Sequence, residues 1–354
     1  MIKKTVKKAI GVMSGTSLDG IDIIACSFYQ NKDKIEFEIN AGTTVKYSNT
    51  MYDKLLLSSG MTGYELAKLN IIYGREIGNA INEFIEKEKF SPDFIASHGY
   101  TVFHQPKNRL TLQIGSGAEI SAITKIKTVC DFRTIDVALG GQGAPLVPIG
   151  DKLLFGEYES CLNLGGFANI SYDNKMGERI AFDICPVNFI LNYFSNKLGF
   201  DFDNNGNSGR KGKVNKYILD KLNSIDFYQQ NGPKSLGREF VEDNIFNVFN
   251  AADISMYDAL RTSYEHIAIQ LSSILNTLNN KKVLVTGGGA YNNFLIELIE
   301  KYTKAVIVVP NSDIVDYKEA LIFAFLGLLR IDDKINCLKS VTGAVSNNIG
   351  GCIY

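Results

Sequence analysis

The chain has 354 residues, 45% of them hydrophobic and 21% charged, with a formal net charge of −1. That length exceeds one typical core, and the ordinary apolar and charged content excludes a disordered chain. A charge this close to zero supplies no field that would draw the molecule to nucleic acid or to an anionic membrane.

In chain order, Lys3, Lys4, Lys7 and Lys8 imitate the basic start of a signal peptide. Gly11, Ser14, Gly15 and Thr16 break the apolar stretch behind them, so no secretory core forms. Residues 8–13 and 21–28 read as apolar strands joined by a turn at 14–20, with a further strand over 35–46. Leu66, Leu69, Tyr73, Ile77, Ala80, Phe84 and Ile85 recur at helical spacing. A short strand at 94–97 leads into His98 and Gly99, and 111–137 mixes short strands with a helix. Residues 160–164 and 170–172 again flank a glycine turn. A strand follows at 179–183, with a helix after Pro186 and a polar, glycine-rich loop at 201–213. Leu260, Tyr264, Ile267, Leu271, Ile274 and Leu278 mark an amphipathic helix. A buried strand at 282–286 runs into three glycines, a last strand lies at 305–309, and a last helix spans 317–330. No run reaches the roughly 18 apolar residues that cross a bilayer.

Strand–turn–strand therefore opens each half, and each half goes on to alternate strands and helices, so two units of similar build are expected. The cysteines Cys26, Cys130, Cys161, Cys185, Cys337 and Cys352 form no CxxC pair, and histidines number three. A zinc site or disulfide framework is not expected, and a reducing cytoplasm fits.

Three glycine loops carry the chemical signal. GVMSGTSLDGID at 11–22 sets Gly15 and Gly20 around Ser14, Thr16 and Ser17, which lets backbone N–H groups and hydroxyls turn toward an anion. Asp19 and Asp22 repel phosphate but suit a hydrated Mg²⁺, or simply fix the turn. NLGGFAN at 163–169 turns between two strands, and VTGGGAYN at 285–292 joins a buried strand to a helix. Alone, the first reads as well as a hairpin and the third as a crowded crossover, while the second reads better as a plain hairpin. Their order along the chain matches the phosphate and adenosine loops of actin-like and hexokinase-like ATPases. Residues 206–214 fail as a Walker A loop, since their glycines are misplaced and Val214 replaces the needed hydroxyl. No GxGxxG follows the first strand.

Less common strings lie between these loops: SHGYTVFHQP at 97–106, TLQIG at 111–115, DFRTID at 131–136, GGQGAPLVP at 140–148, PKSLGRE at 233–239, KEA at 318–320 and VTGA at 341–344. With them the chain resembles the anhydro-N-acetylmuramic acid kinase family over nearly its whole length. The resemblance implies an α/β fold of two actin-like (ribonuclease H-like) lobes, with mixed sheets flanked by helices and a nucleotide cleft between them. The lobes are expected at 1–130 plus 341–354 and at 131–340. It also implies a cytoplasmic enzyme of peptidoglycan recycling. Such an enzyme uses ATP and Mg²⁺ to convert 1,6-anhydro-N-acetylmuramic acid into N-acetylmuramic acid 6-phosphate. Its partner is this small amino sugar, with neither nucleic acid nor membrane, and a homodimer is left open.

Carried over residue by residue, Gly15, Thr16, Ser17, Leu18, Asp19, Gly20, Ile21 and Asp22 would bind the nucleotide phosphates. Asp19 would meet the metal through water. Gly165, Gly166, Gly287, Gly288 and Gly289 would complete the nucleotide site. Asp183, in FDICPVN at 182–188, would be the base that takes a proton from water. It ends a strand ahead of a helix start, where the helix dipole favours a carboxylate; a plain helix-capping Asp explains the same position. Thr101, Arg133 and Glu319 would grip the sugar, with Arg133 on the lactyl carboxylate or else in an ion pair with Asp131 or Asp136. His98 and His104 read as structural hydrogen-bonders.

The chain departs from the family pattern at several points. Ile184, Cys185 and Val187 stand where the family has a hydroxyl and two glycines. Tyr100 stands for Gln and Ser116 for Asp, all near the expected sugar side. Two further readings follow: a kinase of this build acting on another sugar, and a non-catalytic ATP-dependent switch.

Overall fold

The computed structural model describes residues 5–31, 34–230, 232–279 and 281–354, so Lys3 and Lys4 lie outside the described residues. The chain divides into two compact units. One ends at Phe155 and resumes over Tyr317–Tyr354; the other is Gly156–Asp316.

In the first unit, β1 (Thr5–Ser14) and β2 (Ile21–Asn31) pair antiparallel from Thr5↔Gln30 to Ser14↔Ile21. β3 (Lys34–Val45) extends this meander at the edge, with alternate positions half-buried and exposed as a one-sided strand requires. β4 (Phe94–Ser97) lies parallel to β1 on its other side. β5 (Tyr100–Gln105) and β6 (Leu110–Ile114) form a separate antiparallel ribbon, and β7 (Thr128–Cys130) runs parallel to β4. Ile10, Val12, Ile23 and Ile95 are fully buried, which is why these central strands read as continuous apolar runs.

Helix Gly63–Glu88 covers this sheet. Thr62 and Glu65 form a reciprocal capping box at its start, and Leu69, Tyr73, Ile77, Ala80 and Phe84 are buried along one face, the stripe expected from spacing.

The second unit repeats the plan. β8 (Ser160–Leu164), β9 (Phe167–Asp173) and β10 (Arg179–Pro186) form an antiparallel meander. β11 (Lys282–Thr286) and β12 (Val306–Val308) extend it in parallel from β8, giving the order β10-β9-β8-β11-β12. The first sheet has the equivalent order β3-β2-β1-β4-β7, with β13 (Cys352–Ile353) added antiparallel at the far edge. Helix Met256–Thr277 packs on the second sheet through Leu260, Tyr264, Ile267 and Leu271; Ser255 caps its start by accepting from the Asp258 N–H.

The boundaries fall at 155/156 and 316/317, not at 130/131 and 340/341. Packing explains the shift. Gly150, on helix Val147–Leu154, sits against Ile322, so that helix stays with the first sheet. Helix Ser312–Ile331 starts earlier than expected and crosses back to the first unit at Tyr317. Its Ala320 carbonyl lies where a side chain on Gly11 would be, 2.1 Å from the position of a Cβ, and its Gly327 faces Ala96. Only glycine at position 11 allows strand and helix to meet this closely.

Candidate active site

In the first unit, a loop joins β1 to β2. Leu18 holds φ +58°, a left-handed conformation costly for a branched side chain, and it is 7% exposed within the unit's core. Burying that side chain stabilises by about 1.5–3 kcal/mol, enough to offset the strain of roughly 1–2 kcal/mol. The turn is thus anchored by Leu18 while Thr16, Ser17 and Asp19 face solvent. Ser14, buried at the end of β1, accepts from the Tyr73 hydroxyl at 2.6 Å. Asp22 accepts from the Thr44 hydroxyl at 2.6 Å, which braces the loop's return. Among the described residues, no three His, Cys, Asp or Glu side chains group to hold a metal ion.

The same unit holds Thr101, Arg133 and Glu319. Thr101 sits on β5 beside a bulge, and its hydroxyl accepts from Gln113 at 3.4 Å. Arg133 is half-buried. Its Nε donates to His98 Nε2 at 2.9 Å and its Nη1 to the Gly143 carbonyl at 2.8 Å. Asp131 instead accepts from Thr134, and Asp136 from Gly143, Thr342, Asn348 and Cys337. Arg133 makes no ion pair with Asp131 or Asp136: Asp136 is taken up by four other donors, and Asp131 turns to Thr134. Glu319 is open to solvent yet crowded by protein atoms. That crowding pushes its carboxyl up, while Arg133 and Lys318 pull it down. Lys318 itself is buried against Asp151 at 2.8 Å.

In the second unit two glycine turns come together. The Gly165 and Gly166 carbonyls accept from the backbone N–H groups of Val187, Asn188 and Phe189, which are the cap and the first two residues of helix Asn188–Lys197. A Cβ on Gly287, at φ +82°, would lie 2.5 Å from Asn163 Oδ1; one on Gly289 would lie 2.7 Å from the Leu164 Cβ. Asn188 joins them, donating from Nδ2 to the Leu164 carbonyl at 3.2 Å. Asn188 was not singled out from the sequence as a site residue; the signal was its place at the end of the FDICPVN string.

Asp183 lies on β10, opposite Asn169, at a bulge that inserts Ile184 before Cys185. β10 runs on to Pro186, and the residue that caps the following helix is Val187, with no side-chain cap. Asp183 is thus neither a helix cap nor a helix-dipole carboxylate. Burial pushes its carboxyl above the ordinary range, opposed by the Leu236 N–H, which donates to Oδ2 at 2.9 Å. The Asp183 N–H in turn donates to the Lys234 carbonyl at 2.9 Å, so the PKSLGRE string flanks this carboxylate.

The departures from the family pattern have structural places. Ile184, Cys185 and Val187 are 2%, 0% and 0% exposed, inside the second unit's core rather than lining a polar site. Ser116 caps helix Gly117–Thr124, accepting from the Glu119 N–H, a role that Ser and Asp share. Tyr100 is buried.

Two sheets of one strand order, each an antiparallel meander extended by parallel strands from its first member, define the actin-like (ribonuclease H-like) α/β class. The sequence resolves the class further. The chain belongs to the anhydro-N-acetylmuramic acid kinase family, whose model matches residues 7–354. Proteins named anhydro-N-acetylmuramic acid kinase are similar to it over nearly full length. The one from Sulfurovum sp. is 33% identical, covering 98% of this chain and 99% of that protein. That from Clostridioides difficile is 33% identical, covering 98% and 97%. That from Legionella pneumophila (strain Paris) is 32% identical, covering 98% and 97%. Among the described residues, no helix is long and apolar enough to cross a membrane.

Proposed function

We propose that this chain is an ATP-dependent kinase that opens the 1,6-anhydro ring of 1,6-anhydro-N-acetylmuramic acid and phosphorylates O6. The products are N-acetylmuramic acid 6-phosphate and ADP, formed in the cytoplasm during cell-wall recycling. The observation that carries the reading is Asp183, a half-buried carboxylate held by one backbone N–H, with its basicity raised by burial. A base whose pKa is lifted toward the working pH is more effective at taking a proton from water.

The substrate explains why water is needed. Its O6 is already bonded to C1 and carries no proton, so an ordinary sugar-kinase base has nothing to remove. The water oxygen bonds to C1 as the C1–O6 bond breaks, and the water's proton passes to Asp183. The freed O6 bonds to the γ-phosphorus as the bond to the β-phosphate oxygen breaks and ADP leaves. Asp183 then returns its proton to solvent. Positioning and charge stabilisation supply most of the rate in such transfers.

The 15–22 loop would receive the phosphates. The Gly165–Gly166 and Gly287–Gly289 turns, drawn together around Asn188, would let the nucleotide approach backbone closely. Mg²⁺ fits an exposed Asp19 because it keeps several waters and takes few protein ligands; when bound, it neutralises charge on the phosphates. Thr101, Arg133 and Glu319 would hold the sugar. Arg133 is supported most directly, since among the described residues no carboxylate hydrogen-bonds it, although Glu319 lies near enough to feel its charge.

The test is mass spectrometry of products formed from the anhydro sugar and ATP in ¹⁸O-labelled water. One heavy oxygen at the anomeric carbon together with one phosphate is expected. Phosphorylation of plain hexoses but not of the anhydro sugar supports the same build with another substrate. ATP binding with no phosphorylated sugar supports a switch.

A further inference from the structure

His98 has no assigned role in the chemistry above, yet its geometry is fully determined. Its Nδ1 lies 2.8 Å from the Gly99 carbonyl, which only accepts, so Nδ1 carries the proton. Its Nε2 is then a bare lone pair, and it accepts from Arg133 Nε at 2.9 Å. The residue is 4% exposed, its imidazole packs on the Phe323 ring with centroids 4.6 Å apart, and its backbone N–H ties it to β1 by donating to the Val12 carbonyl. Burial and the neighbouring Arg133 both hold the ring neutral, as this arrangement demands.

We infer that His98 is a positioning residue for substrate recognition: as the Nδ1–H tautomer it aims the Arg133 guanidinium at the carboxylate of an acidic sugar. The inference rests on the reading of Arg133 given under the proposed function. Arg133 is gripped at two points by neutral acceptors, His98 Nε2 and the Gly143 carbonyl. The second grip is itself anchored, because the Gly143 N–H donates to Asp136 Oδ2 at 2.8 Å. A guanidinium has five N–H donors, so two are spent on orientation and three remain. A carboxylate in place of His98 would orient the arginine equally well but neutralise it. A neutral acceptor fixes the direction without taking up the charge, which within the protein is felt by Glu319 with no hydrogen bond between them, and Nη2 meets no acceptor among the described residues. A protonated His98 would face Arg133 donor to donor and charge to charge.

The experiment compares kcat/KM for 1,6-anhydro-N-acetylmuramic acid with that for the congener lacking the lactyl group. It uses the wild type, His98→Phe, His98→Gln and Arg133→Ala, with calorimetric binding of both sugars alongside. His98→Phe keeps a ring against Phe323 but offers Arg133 no acceptor; His98→Gln restores an oxygen acceptor. The preference for the carboxylated sugar is expected to fall roughly tenfold or more in His98→Phe through KM, the usual worth of one hydrogen bond to a charged group. It is expected to recover in His98→Gln, while KM for ATP stays put in both. If Arg133→Ala destroys the preference and both His98 variants retain it, the inference is overturned. If Arg133→Ala retains it, the reading of Arg133 fails and the inference fails with it. If the wild type neither binds nor turns over the muramic sugar, the proposed function itself is wrong.

Discussion

Replacing Asp183 by Asn separates a catalytic carboxylate from a structural one. Asn offers the Leu236 N–H an oxygen where Asp183 Oδ2 now accepts at 2.9 Å, so the local hydrogen bonding survives. What disappears is the charge. Burial raises the folded-state pKa of this carboxyl above its ordinary value. The folded protein therefore binds that proton more tightly than the unfolded chain. Ionisation costs stability as pH rises from the unfolded pKa through the folded one, and the cost persists above both. At neutral pH the Asn variant escapes it, so its melting temperature should equal or exceed that of the wild type. Catalysis should move the other way. Loss of a general base lowers kcat by about 10²–10⁴-fold, or roughly 3–5 kcal/mol of barrier at about 1.4 kcal/mol per decade. Product formation by mass spectrometry and thermal unfolding at pH 7 read the two effects together. An Asn variant that keeps its turnover, or one that loses activity and stability in step, would refute the assignment of Asp183 as base.

At saturating ATP and sugar, kcat should fall as pH is lowered through the raised pKa of Asp183, because the protonated acid accepts nothing; the midpoint should lie above the ordinary Asp value of about 3.9. A kcat that stays flat down to that value would show that Asp183 is not the group being titrated. Gly287→Ala places a Cβ 2.5 Å from Asn163 Oδ1 at φ +82°. It should raise the KM for ATP and cost roughly 1–3 kcal/mol of stability, as nucleotide titration and melting would show. Asp136→Ala strips the acceptor from Gly143, Thr342, Asn348 and Cys337 in a site with no exposure. Leaving such donors unmatched should cost about 3 kcal/mol or more in urea unfolding, against little change for an exposed carboxylate such as Asp313.

Much of the fold was legible because hydrophobic periodicity is local. The strands at 94–97, 160–164 and 282–286 and the buried faces of the two long helices follow from apolar spacing and caps near in sequence. The unit boundaries were less legible, because the apolar run of helix Ser312–Ile331 does not say which sheet it will cover. The close approach of Gly11 to Ala320 decides that, across more than three hundred residues. The glycine turns and the FDICPVN string could be found in sequence. The environment of Asp183 could not, since the Leu236 N–H that holds it belongs to a segment distant along the chain.

The sequence by itself determined the family and the repeated strand–turn–strand plan, and it supplied the candidate site residues, because these depend on residue type, order and short-range spacing. Only the tertiary structure decided that Ile184, Cys185 and Val187 fill a core, that Asp183 is made more basic by burial, and that Arg133 is oriented by a neutral histidine instead of paired with an aspartate. Burial, tautomer and hydrogen-bond partner are set by atoms far away along the chain, and no local pattern encodes them.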